Sequence, residues 1–471
     1  MRDNQTGLDQ WLADHKARFL RDVQDGNSDR WTVVMGNEAG DLDSLASSLA
    51  FAYFASFSTP TSSYVPLQLT PRSDLYLRPE NQKSLELSSV SDASLVTIDD
   101  LASPSSLASK YVLVDHNSLL PTFHRGTADA VVAIIDHHVD EGLDLAADPR
   151  TIELVGSCAS LVTDHFVRIR GTTSVPRGLA DLLISSILID TKLKPVAKGG
   201  KATDKDLEAV SLLLPHSSFA TSASSTPPPG EAVKGGELRD AATATESTDE
   251  IASENDAETN LRSRAKLLSE LKEDVSWMNG RDLLRRDYKE YIVAEFDGRA
   301  LKYGLSTVPL GLNVWLDKFA GGKGGQVPDS PPIERLVAEV REWMLERGLG
   351  LCGVLTSYTH VKKKTGELGK HRRELLVVTT DARLARVVFD GFDQDAVLQL
   401  GEWKEKDNFG GIDRGGDTTT RAGDDAVGAS DETGYERWQV WQQGNTKATR
   451  KQVAPVLKEL VGLAVQPRPS S

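Results

Sequence analysis

Blocks of apolar and polar positions predict most of the elements of this chain. Leu8, Trp11, Leu12, His15 and Phe19 fall at helical spacing, which predicts an amphipathic helix that opens the fold. Short apolar runs follow over residues 31–36, 64–69, 95–98, 110–114 and 131–135. The last two are rich in β-branched residues and read as strands buried on both faces, as in a parallel sheet. Apolar helices are predicted over 45–57, 158–170 and 177–189, and a further helix over 203–214. Strands and helices in this order predict an α/β domain with a mostly parallel sheet.

From residue 220 to 260 the pattern collapses into Ser, Thr, Pro, Gly, Ala and Glu, with Val233, Leu238 and Ile251 the large apolar residues. Such a segment cannot bury enough surface to offset its ordering entropy and is expected to be a disordered linker. The expected boundaries are therefore 1–216 for the first domain, 217–260 for the linker and 261–465 for a smaller α/β domain with a mixed sheet. The second domain is predicted to hold helices over 261–277 and 333–347, and strands over 291–295, 303–307, 352–357, 375–379 and 438–442. A helix from Arg450 to Val461 closes it. Residues 402–432 are polar and rich in Gly and Asp, and are expected to be an insertion.

Charge and cysteine content narrow the function. The balance of 54 Lys+Arg against 69 Asp+Glu gives −15, which argues against general nucleic-acid binding but leaves room for a local basic pocket. Cys158 and Cys352 are the two cysteines, too few for a disulfide framework or a cysteine-rich zinc site. A reducing compartment fits that usage. No apolar run approaches membrane-spanning length, and the N-terminal stretch carries Asp3, Asp9 and Asp14 without a signal core. The expectation is a cytoplasmic protein without a membrane partner.

The candidate chemistry lies where strands end. The run Val131–Ile135 stops on Asp136-His137-His138, and the run Lys110–Val114 stops on Asp115-His116-Asn117. Asp41 and Asp43 stand between the first strand and its helix, and Asp190 stands at a helix C-terminus, where the macrodipole disfavours an acid. In open α/β sheets ligands collect outside the carboxyl ends of the strands. Carboxylates and imidazoles at that place suit a metal site, because nearby acids repel unless a cation lies between them. Taken alone, the triplet also fits a turn cap with two solvated histidines. Asp43 or Ser44 likewise fits a plain helix N-cap. In the C-terminal half, Lys289, Lys370 to Arg373 and Lys447 to Lys451 are basic groups that each fit a solvated face. Arg450 and Lys451 open a helix behind Thr449, an arrangement suited to a bound anion.

In this order the motifs resemble the DHH phosphoesterase superfamily, and within it the branch of family II inorganic pyrophosphatases, cytosolic exopolyphosphatases and prune proteins. Asp287-Tyr288-Lys289, Gly369 to Arg373 and Ala448 to Gln452 are similar to that branch's second, phosphate-binding domain. The resemblance implies two divalent cations, Mn or Mg, in a site between the domains. Asp41 and Asp115 would hold one; Asp43, Asp115, His137 and Asp190 the other, with Asp115 shared. His138 would contact the substrate phosphate and Asp136 would orient the histidines. Lys289, His371, Arg372, Arg373, Arg450 and Lys451 would bind the polyanion. Asn37 stands where the pyrophosphatases carry a metal-binding His, and is grouped with the substrate-contacting residues. Its neutral amide oxygen would lean the site from Mn²⁺ toward Mg²⁺. The implied activity is exopolyphosphatase, releasing orthophosphate from polyphosphate by a metal-activated water. Its alternatives are a pyrophosphatase, a phosphodiesterase acting on short or nucleotide substrates, and a prune-like interaction protein. A monomer is expected.

Overall fold

The apolar runs of the N-terminal half pair into one six-stranded sheet. The computed structural model describes residues 7–58, 62–102, 110–123, 130–220, 248–294, 300–320, 332–361, 367–403 and 437–466. The chain divides into two units, Met1–Glu273 and Asp274–Ser471.

The first unit runs α1 (Leu8–Gln24), β1 (Trp31–Met35), α2 (Leu42–Ser58), β2 (Ser63–Gln68), α3 (Pro79–Leu87), β3 (Val96–Thr97), β4 (Lys110–Val114) and β5 (Ala130–Asp136). It continues through β6 (Arg150–Ile152), α4 (Cys158–Thr163), α5 (Arg177–Thr191), α6 (Asp204–Leu213) and α7 (Thr248–Glu273). All pairings in the sheet are parallel, in the order β3-β2-β1-β4-β5-β6. The order reverses direction between β1 and β4, so a crevice opens at their carboxyl ends. The two faces of the sheet carry separate apolar clusters. Val34, Val112, Val114, Ala133 and Ile135 face the helices, and Val33, Met35, Tyr111, Leu113 and Ile134 face the other way. Helix α2 is buried from Leu42 to Ala55, which explains why its sequence is apolar all round.

Three expectations change here. The helix expected to start at Leu261 begins at Thr248 and belongs to the first unit. Ala257, Leu261, Ala265 and Leu268 form a buried stripe at helical spacing, too sparse to stand out in that polar stretch. The helix expected over 158–170 is α-helical only to Thr163, and Asp164–Ile169 continues as a π-turn. The N-cap of α2 is Asp41, not Asp43 or Ser44: Ser44 N–H donates to Asp41 Oδ1 at 3.1 Å. Of the expected linker, residues 221–247 lie outside the described residues, as do 404–432 of the expected insertion.

The second unit holds α8 (Gly280–Arg286), β7 (Tyr288–Ala294), β8 (Ala300–Val308), α9 (Leu312–Ala320), α10 (Pro332–Arg347), β9 (Leu351–Thr356) and β10 (Tyr358–Val361). It ends with β11 (Leu368–Thr379), α11 (Ala382–Gln394), β12 (Leu400–Glu402), β13 (Arg437–Gln443) and α12 (Arg450–Val465). Its sheet is mixed, in the order β12-β13-β11-β9-β8-β7, with β10 paired to β11. Tyr303, Leu305, Leu375 and Val377 pack with α11 and α12 on one face; Val354, Leu376 and Val378 pack with α10 on the other. Among the described residues no helix is long and apolar enough to cross a membrane.

Candidate metal centre

Three neighbouring strands, β1, β4 and β5, deliver the motif residues to one end of the first sheet. Directly after β4 the chain turns at Asp115, whose φ of 60° lies in the left-handed region. A non-glycine residue there is held by its surroundings, and such positions cluster at functional sites. Its N–H donates to Ile135 O of the neighbouring strand at 3.1 Å. The carboxylate is buried, with Oδ2 accepting from Asn37 Nδ2 and from Ser44 Oγ, both at 2.6 Å. The Ser44 contact depends on Gly36, where a Cβ would lie 2.4 Å from that of Ser44.

Asp115 Oδ1 faces the histidines. His137 Nε2 lies 3.3 Å from it and 3.8 Å from Asp43 Oδ2. His137 Nδ1 sits 3.1 Å from Val155 O; a carbonyl only accepts, so Nδ1 carries a proton and the ring aims Nε2 at both acids. His138 Nδ1 lies 2.7 Å from Asp136 Oδ1, which fixes its tautomer the same way and leaves Nε2 as the outward atom. Asp115, His137 and His138 each offer one ligand atom, all within 4.8 Å of one another.

Asp136 is fully engaged. Its Oδ1 accepts from the backbone N–H groups of His137 and His138 and from the His138 ring, and Oδ2 accepts from Asn117 Nδ2. Burial pushes its pKa up, but the His138 and Asn117 contacts outweigh that and hold it far below the usual carboxylate range. Asn117 also donates to Val139 O and accepts from Glu141 N–H, so it pins the turn after the histidines. His116 turns away, with Nδ1 2.9 Å from Val114 O.

Asp43 is buried in the first turn of α2 and accepts from Ser157 Oγ, Cys158 N–H, Ala159 N–H and Ser186 Oγ. Its negative charge thus sits at the N-terminus of α4, where neutral donors hold it. Half-buried Asp41 and Asp190 see fixed cations instead. Burial raises the pKa of Asp41, yet Arg78 and Lys272 more than offset this and hold it at about 2. Asp190 is pushed up to about 6 by burial and by Asp43 and Asp41, against the pull of Lys272, whose Nζ lies 3.6 Å away. Burial and the charges of Asp41 and Asp43 push Asp115 well above the usual range, despite its contact with His137.

The resemblance grouped Asn37 with the substrate-contacting residues; in the structure its side chain is engaged within the turn and with Asp115. Its Oδ1, the one atom able to ligate a cation, accepts from Ala39 N–H at 2.9 Å, and its nitrogen is turned to Asp115. Arg78 and Lys272 were missed by the sequence analysis, since neither lies in a motif. Ser157 and Ser186 were missed for the same reason.

In the second unit most of the expected cations gather at one end of the sheet. Gly369 to Arg373 belong to β11, so their side chains alternate between faces. His371 and Arg373 share the face of Leu375 and Val377, which packs on α11 and α12. Lys289 lies opposite Leu305 on that face, next to the start of β7. Arg373 Nε donates to Thr446 O at 2.9 Å, just before α12, whose N-cap Thr449 accepts from Lys451 N–H. Arg450 is tied to Asp287, through its carboxylate and its carbonyl, both at 2.9 Å. Lys451 is exposed. Arg372 departs from the group: it lies opposite Tyr358 in the register, on the same side of the strand as buried Glu374.

Comparison with known proteins finds a family for each unit. Residues 31–187 match the DHH family N-terminal domain, and residues 266–460 match the DHHA2 domain. A Schizosaccharomyces pombe protein named putative exopolyphosphatase is 38% identical over 191 residues, which is 38% of this chain and 49% of that protein. A Rattus norvegicus protein named exopolyphosphatase PRUNE1 is 35% identical over 185 residues, 38% of this chain and 40% of that one. A Streptococcus equi protein named probable manganese-dependent inorganic pyrophosphatase is 30% identical over 163 residues, 34% of this chain and 48% of that one. The chain thus spans about half the length of the curated relatives it matches. With both domain types in order, and with relatives of these names, the chain belongs to the DHH phosphoesterase superfamily, on its prune and exopolyphosphatase branch.

Proposed function

We propose that the chain is a divalent-metal-dependent hydrolase of phosphoanhydride bonds, acting as an exopolyphosphatase. The observation that carries this reading is the meeting of Asp115 Oδ1 with His137 Nε2 at 3.3 Å, beside Asp43. The donor set fits a divalent ion. Acids that raise one another's pKa, with an imidazole nitrogen aimed among them, are relieved by a bound cation. On this reading Asp41, Asp43, Asp115, His137 and Asp190 hold the ions, Mn²⁺ or Mg²⁺. Bound there, such ions neutralise phosphate charge and lower the pKa of a coordinated water.

The chain's own residues do the rest. Asn37 and Ser44 fix Asp115 through Oδ2, so that Oδ1 is the atom presented. Asp136 holds the His138 ring by Nδ1, and a protonated His138 can donate from Nε2 to a phosphate oxygen. Lys289, Arg373, Arg450 and Lys451 supply positive charge for the rest of a polyanionic chain, and His371, whose pKa burial and Arg373 push down, adds a neutral hydrogen-bonding ring beside them. A pyrophosphatase is the second reading, favoured by the relative of that name. Both readings use the same acids, and substrate length separates them.

The test of the centre is metal content and turnover in Asp190→Asn and His137→Ala. Each should lose bound metal and at least about a hundredfold in rate while keeping the wild-type circular dichroism, by analogy with the loss of a catalytic electrostatic group. Wild-type metal content and turnover in Asp190→Asn would remove that residue from the site.

A further inference from the structure

The four acids are not compensated alike. Asp43 and Asp115 are held by neutral hydroxyl, amide and backbone donors, and by His137. Fixed positive charge is confined to the end occupied by Asp41 and Asp190, where Arg78 and Lys272 stand. The Arg78 guanidinium is buried and committed, with Nε on Ala39 O at 2.7 Å and Nη1 3.4 Å from Glu80. Lys272 differs, because its side chain keeps 38% of its surface open.

Lys272 is nonetheless placed with care. It lies in the last turn of α7, and that helix is fastened to the first unit from Leu261 to Leu268. Leu261, Ala265 and Leu268 are buried in the core. Arg264 donates to Ser185 Oγ of α5 at 3.0 Å and lies 4.8 Å from the Phe219 ring. The ammonium is therefore delivered by a fixed helix to Asp190 at the end of α5. A basic residue in a last turn also suits the helix dipole, an explanation that involves no acid cluster at all.

We propose that Lys272 is an internal counter-cation of the carboxylate cluster, a positioning residue that steadies Asp190 and Asp41 and lowers the cluster's affinity for divalent ions. The inference rests on the reading of these acids as metal ligands. Like charges a few ångströms apart repel, and at a half-open site salt screens that repulsion. Removing the ammonium takes one positive charge from the site, which is then tighter for a dication and less stable without one.

The experiment titrates Mn²⁺ into the metal-stripped full chain by calorimetry, for wild type, Lys272→Met and Lys272→Arg, with thermal melting in chelator alongside. Lys272→Met should bind Mn²⁺ about tenfold more tightly, a gap that narrows at high salt, and should melt lower when metal-free. Lys272→Arg should match the wild type. Where Lys272→Met does not fold, Lys272→Gln removes the charge while keeping a donor for Asp190. Unchanged or weaker Mn²⁺ binding in the neutral variant would overturn the inference and leave Lys272 a helix-end residue. Absence of Mn²⁺ binding by the wild type would instead overturn the metal-centre reading on which it rests.

Discussion

Asn37 meets Asp115 with its amide nitrogen, 2.6 Å from Oδ2, while its oxygen is held by Ala39 N–H. An asparagine in this pose acts on the metal centre through Asp115. Asn37→Ala should free one side of the carboxylate and leave Ala39 N–H buried without its acceptor, a cost of about 1–3 kcal/mol. Asn37→Asp should be worse for Asp115, since it replaces a donor with a second negative charge. Thermal melting and Mn²⁺ calorimetry check both. Metal-free stability should fall in each variant, further in Asn37→Asp when measured at low salt, and metal affinity should fall in Asn37→Ala.

The His138 ring depends on Asp136 for its tautomer. Asp136→Asn offers an amide that can turn either atom to Nδ1, so the ring is no longer fixed. Turnover should fall by about 10² or more, the scale of removing a general acid, with metal content unchanged. Steady-state rates and metal analysis on one preparation test this. Metal loss comparable to that of His137→Ala would make Asp136 part of the ligand framework.

The acids also set a pH dependence in chelator. Asp190 has a folded pKa of about 6 against an ordinary value of 3.8, so between these values the folded state holds more protons than the unfolded one. Stability from this group is therefore fully present below about pH 4 and lost as pH rises through 6. Asp115 is shifted in the same direction. Asp190→Asn removes its share, so at pH 7.5 the metal-free variant should be more stable than the wild type by on the order of 2 kcal/mol. That advantage should vanish by about pH 4. Urea unfolding across pH measures it, and an advantage that grew toward acid would contradict the assignment. With Mn²⁺ present the trend reverses, because ligation needs the charged carboxylates.

Much of this was legible in the sequence because strand-end chemistry is written locally. The run Val131–Ile135 followed by Asp136, His137 and His138 carries both its burial and its site. The parallel sheet followed from the same apolar runs. What escaped were relations across the fold. Ser157 and Ser186 reach Asp43 from distant helices, and nothing near them in sequence marks this. Lys272 sits in a helix whose buried stripe was hidden in polar sequence. The pose of Asn37 depends on which of its two amide ends finds Ala39 N–H, a choice made by the turn itself. The strand expected over 375–379 begins at Leu368, and Gly369 to Arg373 escaped because their charges mask the period of two.

That strand makes a further prediction about the polyanion. Arg373 shares the sheet face of His371, Lys289 and α12, whereas Arg372 lies on the opposite one, beside Tyr358 and Glu374. Arg373→Glu should weaken turnover of long polyphosphate more than that of tripolyphosphate, and the loss should depend on salt. Arg372→Glu places a new acid beside Glu374, so it should act mainly on stability. Kinetics at two substrate lengths and a melting curve separate the two arginines. The same length dependence in both would return Arg372 to the substrate-binding group.

The account stands most directly on the rate of orthophosphate release as a function of substrate length, per chain end, with Mn²⁺ or Mg²⁺ at saturation. It predicts release that requires the metal, and rates on long polyphosphate at least about tenfold above those on pyrophosphate, since the longer chain meets more cations. Equal or faster hydrolysis of pyrophosphate would replace the exopolyphosphatase reading with its alternative. Release that persisted in chelator would contradict the metal centre itself.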